Sequence, residues 1–199
     1  MSVAEEYCRP FSKEDVNTFP LYRYEGPVAL VRTREELQQA LERVHDEPLL
    51  GVDTESKPSF RKGNITSPSL IQIACSDTVF LIQLSHIPFS EEIASLFTDP
   101  RQIKTGVAIR DDMRMLGAIS PFTPDGLVDL KDVAQSRGLA TNGLRTLAAN
   151  LLRLRISKSS QCSNWSQKEL SARQIIYAAT DAWVSRLIYE RMRELGFLS

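Results

Sequence analysis

Apolar residues change their spacing several times along this chain, and each change predicts an element. Pro27 to Val31 is a short apolar run read as a strand. Thr33 followed by Glu36 fits a capping box, after which Leu37, Ala40, Leu41 and Val44 share one helical stripe. Leu49 to Glu55 is β-rich, and Leu70 to Cys75 with Thr78 to Leu84 reads as a hairpin bent at Ser76-Asp77. These three runs have little polar content to face solvent, so they are expected at the centre of a sheet. Residues 57 to 68 between them hold Pro58, Pro68, Gly63 and the bases Lys57, Arg61 and Lys62, the composition of a loop.

Ser90 before Glu91 and Glu92 predicts a short capped helix that ends at Asp99-Pro100. Gln102 to Ile109 reads as a strand running into a helix from about Asp111 to Ala118, and Leu127 to Leu130 as a further strand. Helical segments are expected near Lys131 to Arg137 and Leu144 to Leu152. Ser166 and Glu169 fit a second capping box for a long final helix, periodic through Met192 and stopped at Gly196. Strands alternating with helices around a mixed sheet predict an α/β domain over residues 27–199. Residues 1–26 mix prolines and aromatics without a sustained period and read as an extended arm packed on that domain.

At 199 residues the chain suits one buried core, and 42% hydrophobic with 25% charged residues is ordinary for a globular protein. The 24 basic and 25 acidic side chains nearly cancel, so any contact with a polyanion must be local. Cys8, Cys75 and Cys162 lack disulfide-framework or metal-ligand spacing. The start lacks a basic region followed by an apolar one, and no run reaches the ~20 apolar residues needed to span a bilayer. A cytoplasmic protein without membrane association is expected.

The candidate chemistry lies in acids. Asp53 and Glu55 are two apart on a strand and share a face, opposite Val52 and Thr54. Either they are solvated acids at a strand edge, or they grip a common cation; the apolar Leu49-Leu50-Val52 context favours burial, where isolated charges are costly. Tyr177 and Asp181 are one helical turn apart on a stripe with Val184 and Ile188, so Asp181 needs a partner: a metal ion with Tyr177 beside it, or a cap or an arginine with Tyr177 merely filling the core. Asp111 and Asp112 both stand at a helix start, where an acid is favourable for dipole reasons alone, and periodicity does not choose between them. Carboxylates converging from separate elements call for divalent cations, and hard oxygen donors suit Mg2+ or Mn2+.

Taken in order, these motifs resemble the DEDD superfamily of 3′-to-5′ exonucleases, in its tyrosine-containing (DEDDy) branch, similar to ribonuclease D and the Werner syndrome protein exonuclease domain. The carrying residues are Asp53-x-Glu55, then Gly106-Val107-Ala108-Ile109-Arg110-Asp111-Asp112, then Tyr177-x-x-x-Asp181 within the stretch that begins Ser163-Asn164-Trp165. The second motif selects Asp112 over Asp111. Ala108 stands where the family commonly has glycine, and Ser56 where several relatives have an aromatic residue. The resemblance implies a ribonuclease H-like fold and two-metal hydrolysis of phosphodiester bonds from a free 3′ end, single-stranded or recessed, of DNA or RNA. It implies that Asp53, Glu55, Asp112 and Asp181 hold two Mg2+ or Mn2+ ions, Asp53 between both, while Tyr177 orients the attacking water. Phe60, Arg61, Lys62, Arg110, Arg114 and Arg145 are candidate substrate contacts. Arg153, Arg155 and Lys158 read as a basic helix end, Trp165 as a structural anchor, and His45 and His86 as surface or packing residues. A non-catalytic nucleic-acid-binding or scaffold domain of the same fold, and a short-oligonucleotide phosphohydrolase, are the alternatives.

Overall fold

The computed structural model describes residues 7–58 and 67–198. Its strands are β1 (Val28–Val31), β2 (Leu49–Ser56), β3 (Pro68–Ala74), β4 (Val79–Gln83), β5 (Ile103–Gly106) and β6 (Leu127–Asp129), and they form one sheet ordered β1-β4-β3-β2-β5-β6. Antiparallel pairing joins β2, β3 and β4, whereas β1 runs parallel to β4, and β5 and β6 extend in parallel from β2. The helices are α1 (Lys13–Thr18), α2 (Arg34–His45), α3 (Glu91–Ala94), α4 (Ile109–Gly117), α5 (Leu130–Ser136), α6 (Leu144–Leu147) and α7 (Ala172–Glu194). The expected mixed α/β sheet with helices on its faces is therefore what forms.

Strand alternation divides the core. Leu50, Val52, Ile71 and Ile73 face α2 and α4, where Leu37, Val44, Ile109 and Met113 complete one cluster. Leu70 and Leu81 face the other way, under Tyr177, Ala178 and Ala182 of α7. Gly51, Asp53 and Glu55 lie on this second face by the same alternation.

Gly51 decides how close α7 comes. A β-carbon there would collide with the Ala182 carbonyl oxygen and stand 2.9 Å from both the Arg186 nitrogen and its Cβ. The helix backbone thus rests directly on β2, and Arg186 Nη1 donates to the Leu49 carbonyl. One turn towards the helix N-terminus this contact brings Asp181 and Tyr177 over Asp53.

Several local expectations are corrected. The final helix begins at Ala172, capped by Ser171 with Gln174, not by Ser166 with Glu169. Trp165 is only 1% exposed and packs 5.9 Å from the Tyr177 ring, which pins its neighbours in a turn where the Ser166 hydroxyl donates to Asn164 Oδ1 at 2.8 Å. The strand expected to reach Ile109 stops at Gly106, because Ala108 turns left-handed (φ 59°, ψ 30°) and starts α4. The segment from Leu144 is α-helical only to Leu147 and continues as a wider π turn over Ala148–Leu152. Within the arm, Ser12 and Asp15 form a reciprocal cap for α1, a helix that buries only Val16 and so has no apolar period to reveal it.

Replacing Gly51 with alanine should cost about 1–3 kcal/mol through overpacking against helix backbone. Thermal melting checks this as a fall of roughly 2–4 °C per kcal/mol; an unchanged melt would mean that α7 does not rest on β2.

Candidate active site

Asp53 and Glu55 leave the end of β2, and Asp181 descends from α7 to meet them. One carboxylate oxygen from each lies within 4.8 Å of the others. Asp112 approaches from the opposite face, in the first turn of α4, and its Oδ1 accepts a hydrogen bond from the Thr54 hydroxyl at 2.8 Å. Thr54 points away from Asp53 along the strand, so its hydroxyl ties α4 to the carboxylate end of β2. Asp129 fixes the start of α4: its Oδ1 accepts from the Ala108 amide at 3.0 Å and from the Lys131 amide at 3.0 Å, which also caps α5. Asp111, the neighbouring acid, instead pairs with Arg114 at 2.9 Å on the exposed side.

These carboxyls are held well above their ordinary range. Burial raises Asp53, with the Asp181 charge adding to it. Burial also raises Glu55, to about 9, with Asp53, Asp181 and Asp112 contributing. Asp112 rises through burial and the Asp53 charge, partly offset by Thr54. Asp181 rises through burial, countered by the Tyr177 hydroxyl and the Arg145 charge. Burial and the charges of Asp181 and Glu55 push the Tyr177 phenol further up, so it keeps its proton. Like charges crowded into a desolvated space favour protonation or a cation.

The site opens into a cleft of about 360 Å3, lined by Asp53, Glu55, Arg145, Lys158, Tyr177 and Asp181 among others. Of the candidate substrate contacts, Arg145 is on this wall, its Nε donating to the Ile156 carbonyl at 3.0 Å. Arg110 and Arg114 are not brought there; each forms an exposed ion pair, with Asp132 at 3.2 Å and Asp111 at 2.9 Å. Phe60, Arg61 and Lys62 lie outside the described residues. Lys158, read from the sequence as part of a helix end, stands on the cleft wall in a segment without regular secondary structure. Thr54 and Asp129 were missed because their roles are contacts between elements far apart in sequence. His45 and His86 are exposed, with His86 Nε2 2.9 Å from the Lys168 carbonyl oxygen.

A model of the 3′-5′ exonuclease family matches residues 28–196, from β1 to beyond α7. The chain belongs to this family. It is 32% identical over 163 residues to the human exonuclease mut-7 homolog, covering 68% of this chain and 19% of that protein. The mouse bifunctional 3′-5′ exonuclease/ATP-dependent helicase WRN is 31% identical, covering 77% of this chain and 11% of its own length. Ribonuclease D of Gluconacetobacter diazotrophicus is 30% identical, with 83% and 42% covered. The exonuclease-family chain therefore spans less than half the length of each of these relatives. Among solved structures, the Aedes aegypti Nibbler EXO domain superposes with a TM-score of 0.77 at 23% identity over 88% of this chain and 91% of its own. Escherichia coli RNase D gives 0.74 at 22% identity, over 85% and 45%. These likenesses show the ribonuclease H-like fold.

The three-carboxylate group of this exonuclease-family site fits a divalent cation on its own chemistry. Its donors are all hard oxygens, they converge from two elements, and their mutual repulsion is relieved by positive charge.

The sign of the pH dependence follows from the raised values. Ordinary carboxyls here would titrate at 3.8 and 4.5, and Glu55 in the fold at about 9. Below about pH 4 folded and unfolded chains both hold these protons. As pH rises towards about 9 the unfolded chain releases protons that the fold retains, so metal-free stability falls. Magnesium should therefore raise the melting temperature more at pH 8 than at pH 5; equal shifts at both would contradict a cation relieving this cluster. A second expectation concerns Ala108, whose left-handed backbone costs a non-glycine residue about 1–2 kcal/mol. Ala108→Gly should raise the melting temperature by roughly 2–8 °C, and a lower melt would show the turn to be unstrained.

Proposed function

We propose that the chain hydrolyses phosphodiester bonds from a free 3′ end of DNA or RNA, releasing nucleoside 5′-monophosphates, with two divalent ions, Mg2+ or Mn2+. The observation that carries this reading is the convergence of Asp53, Glu55 and Asp181 to within 4.8 Å beneath Tyr177, with Asp112 tethered alongside by Thr54. Ions bound there would supply a nucleophilic water at neutral pH and neutralise charge on the phosphate. Asp53, Glu55, Asp112 and Asp181 would hold them. The order of these residues along the chain supports the tyrosine-containing branch.

The chain's own residues suit the remaining tasks. Tyr177 keeps its proton, so it acts as a hydrogen-bonding group that orients the attacking water and not as a base. Its hydroxyl is held against Asp181, which fixes its direction. Arg145 and Lys158 on the cleft wall offer positive charge to the phosphates of a strand end. A Trypanosoma brucei RNase D solved in complex with RNA U12 has the same fold at 19% identity and a TM-score of 0.74, which supports a nucleic-acid substrate.

A 5′-labelled oligonucleotide incubated with the protein and magnesium or manganese should give a ladder of shortened products. Asp53→Ala should abolish the ladder, and Tyr177→Phe should slow it by about 10²-fold with little change in KM. Absence of metal-dependent shortening on both DNA and RNA would sink the proposal.

A further inference from the structure

A second cavity, of about 390 Å3, shares Tyr177 and Asp181 with the catalytic cleft and is lined by the N-terminal arm and the first turns of α7. Arg23 comes to it from the arm, Arg173 from α7, and Ser157 and Ser159 from the segment that carries Lys158 into the catalytic cleft. Arg23 and Arg173 are both exposed, and among the described residues neither is in a salt bridge. Ile176, 39% exposed, adds an apolar surface to the same cavity. Unpaired guanidinium groups beside an exposed apolar side chain and a phenol, Tyr22, are the chemistry that takes a nucleotide: charge for phosphate, flat or apolar surface for sugar and base.

The arm is built into this position. The Tyr22 amide donates to the Arg155 carbonyl at 2.7 Å, and the Arg155 amide donates to the Pro20 carbonyl at 2.9 Å. On the other side of Arg23, the Tyr24 amide donates to the Thr180 hydroxyl at 3.0 Å, and the Tyr24 ring packs 4.7 Å from Trp183. Arg23 is thus presented from a backbone clamped at both neighbours. Two cavities that share the walls of Tyr177 and Asp181 give a strand a route past the carboxylates.

We propose that this arm-side cavity is a second nucleotide subsite, in which Arg23 and Arg173 bind the backbone phosphates of the substrate strand next to the scissile linkage. The inference rests on the nuclease reading of the adjoining cleft. It makes the N-terminal arm part of the substrate path and assigns it a role in binding, not in the chemical step.

The test compares wild type with the Arg23→Gln/Arg173→Gln double variant on labelled single strands of two to eight nucleotides. Anisotropy at several salt concentrations reads binding, and steady-state hydrolysis reads KM and kcat separately. The double variant should bind strands of four or more nucleotides about tenfold more weakly, with the slope of log affinity against log salt reduced by about 1.4 for two lost phosphate contacts. Its KM should rise in parallel on those strands, kcat should stay within about twofold, and dinucleotides should be unaffected. Arg23→Lys/Arg173→Lys should restore most of the binding, and Arg34→Gln, in α2 and outside the lining of both cavities, should change nothing. Wild-type binding and salt slope in the double variant would overturn the subsite while leaving the nuclease reading intact. A wild type that binds through Arg23 and Arg173 but never cleaves would overturn the nuclease reading and leave this surface as a strand-binding site.

Discussion

At Gly51 the backbone of β2 meets the backbone of α7 with no side chain between them, and the geometry of the carboxylate cluster depends on that contact. A helix resting on a sheet usually stands off by the length of its side chains, about 10 Å between axis and sheet. Here the missing β-carbon lets the Ala182 carbonyl and Arg186 settle onto the strand, and Arg186 secures the contact by donating to Leu49. The next odd-numbered positions of β2 are Asp53 and Glu55, and the preceding turn of α7 carries Asp181 and Tyr177. Close packing at one glycine therefore becomes close approach of like charges one turn away.

That approach opposes folding. Burial and mutual repulsion hold the carboxyls above their ordinary range, and the structure offers only partial relief through Thr54, Arg145 and the Tyr177 hydroxyl. The apolar clusters on both faces of the sheet supply the stability that tolerates it, with Leu50, Ile71, Ile73, Val184 and Ile188 fully buried around the strand and helix that carry the acids. Strain at Ala108 belongs to the same pattern. A left-handed residue ends β5 abruptly, so that the first turn of α4 stands beside the strand end and Asp112 reaches Thr54.

How much of this could be read from the residues depended on whether the cause was local. The strands and most helices were legible because burial on one face imposes a period on neighbouring residues. Asp53 and Glu55 were legible as a same-face pair for the same reason, and Tyr177 with Asp181 through helical spacing. The true start of α7 was hidden because two cap-like pairs compete, Ser166 with Glu169 and Ser171 with Gln174; burial of Trp165, a tertiary event, decides for the second. Thr54 and Asp129 act through partners 58 and 21 residues away, and Arg23 shares a cavity with Arg173, 150 residues on; nothing in their own neighbourhoods marks them. Arg110 and Arg114 show the converse, since proximity to Asp112 in sequence put them on an exposed helix side, where nearby acids take them up.

The charge distribution follows from these placements. Basic and acidic residues nearly balance over the whole chain, so its net field does not draw in a polyanion. On the proposed reading, attraction for a strand would come from cations placed close to the carboxylate cluster and not from the net charge. Arg145 and Lys158 line the cleft, and Arg23 and Arg173 line the adjoining cavity that shares Tyr177 and Asp181 with it. On the proposed reading, the acids they flank would repel a phosphate backbone, so a strand would be held from the margins and would meet the carboxylates only where a bound cation offset the negative charge. On that reading binding would be separable from hydrolysis, because different residues would carry each.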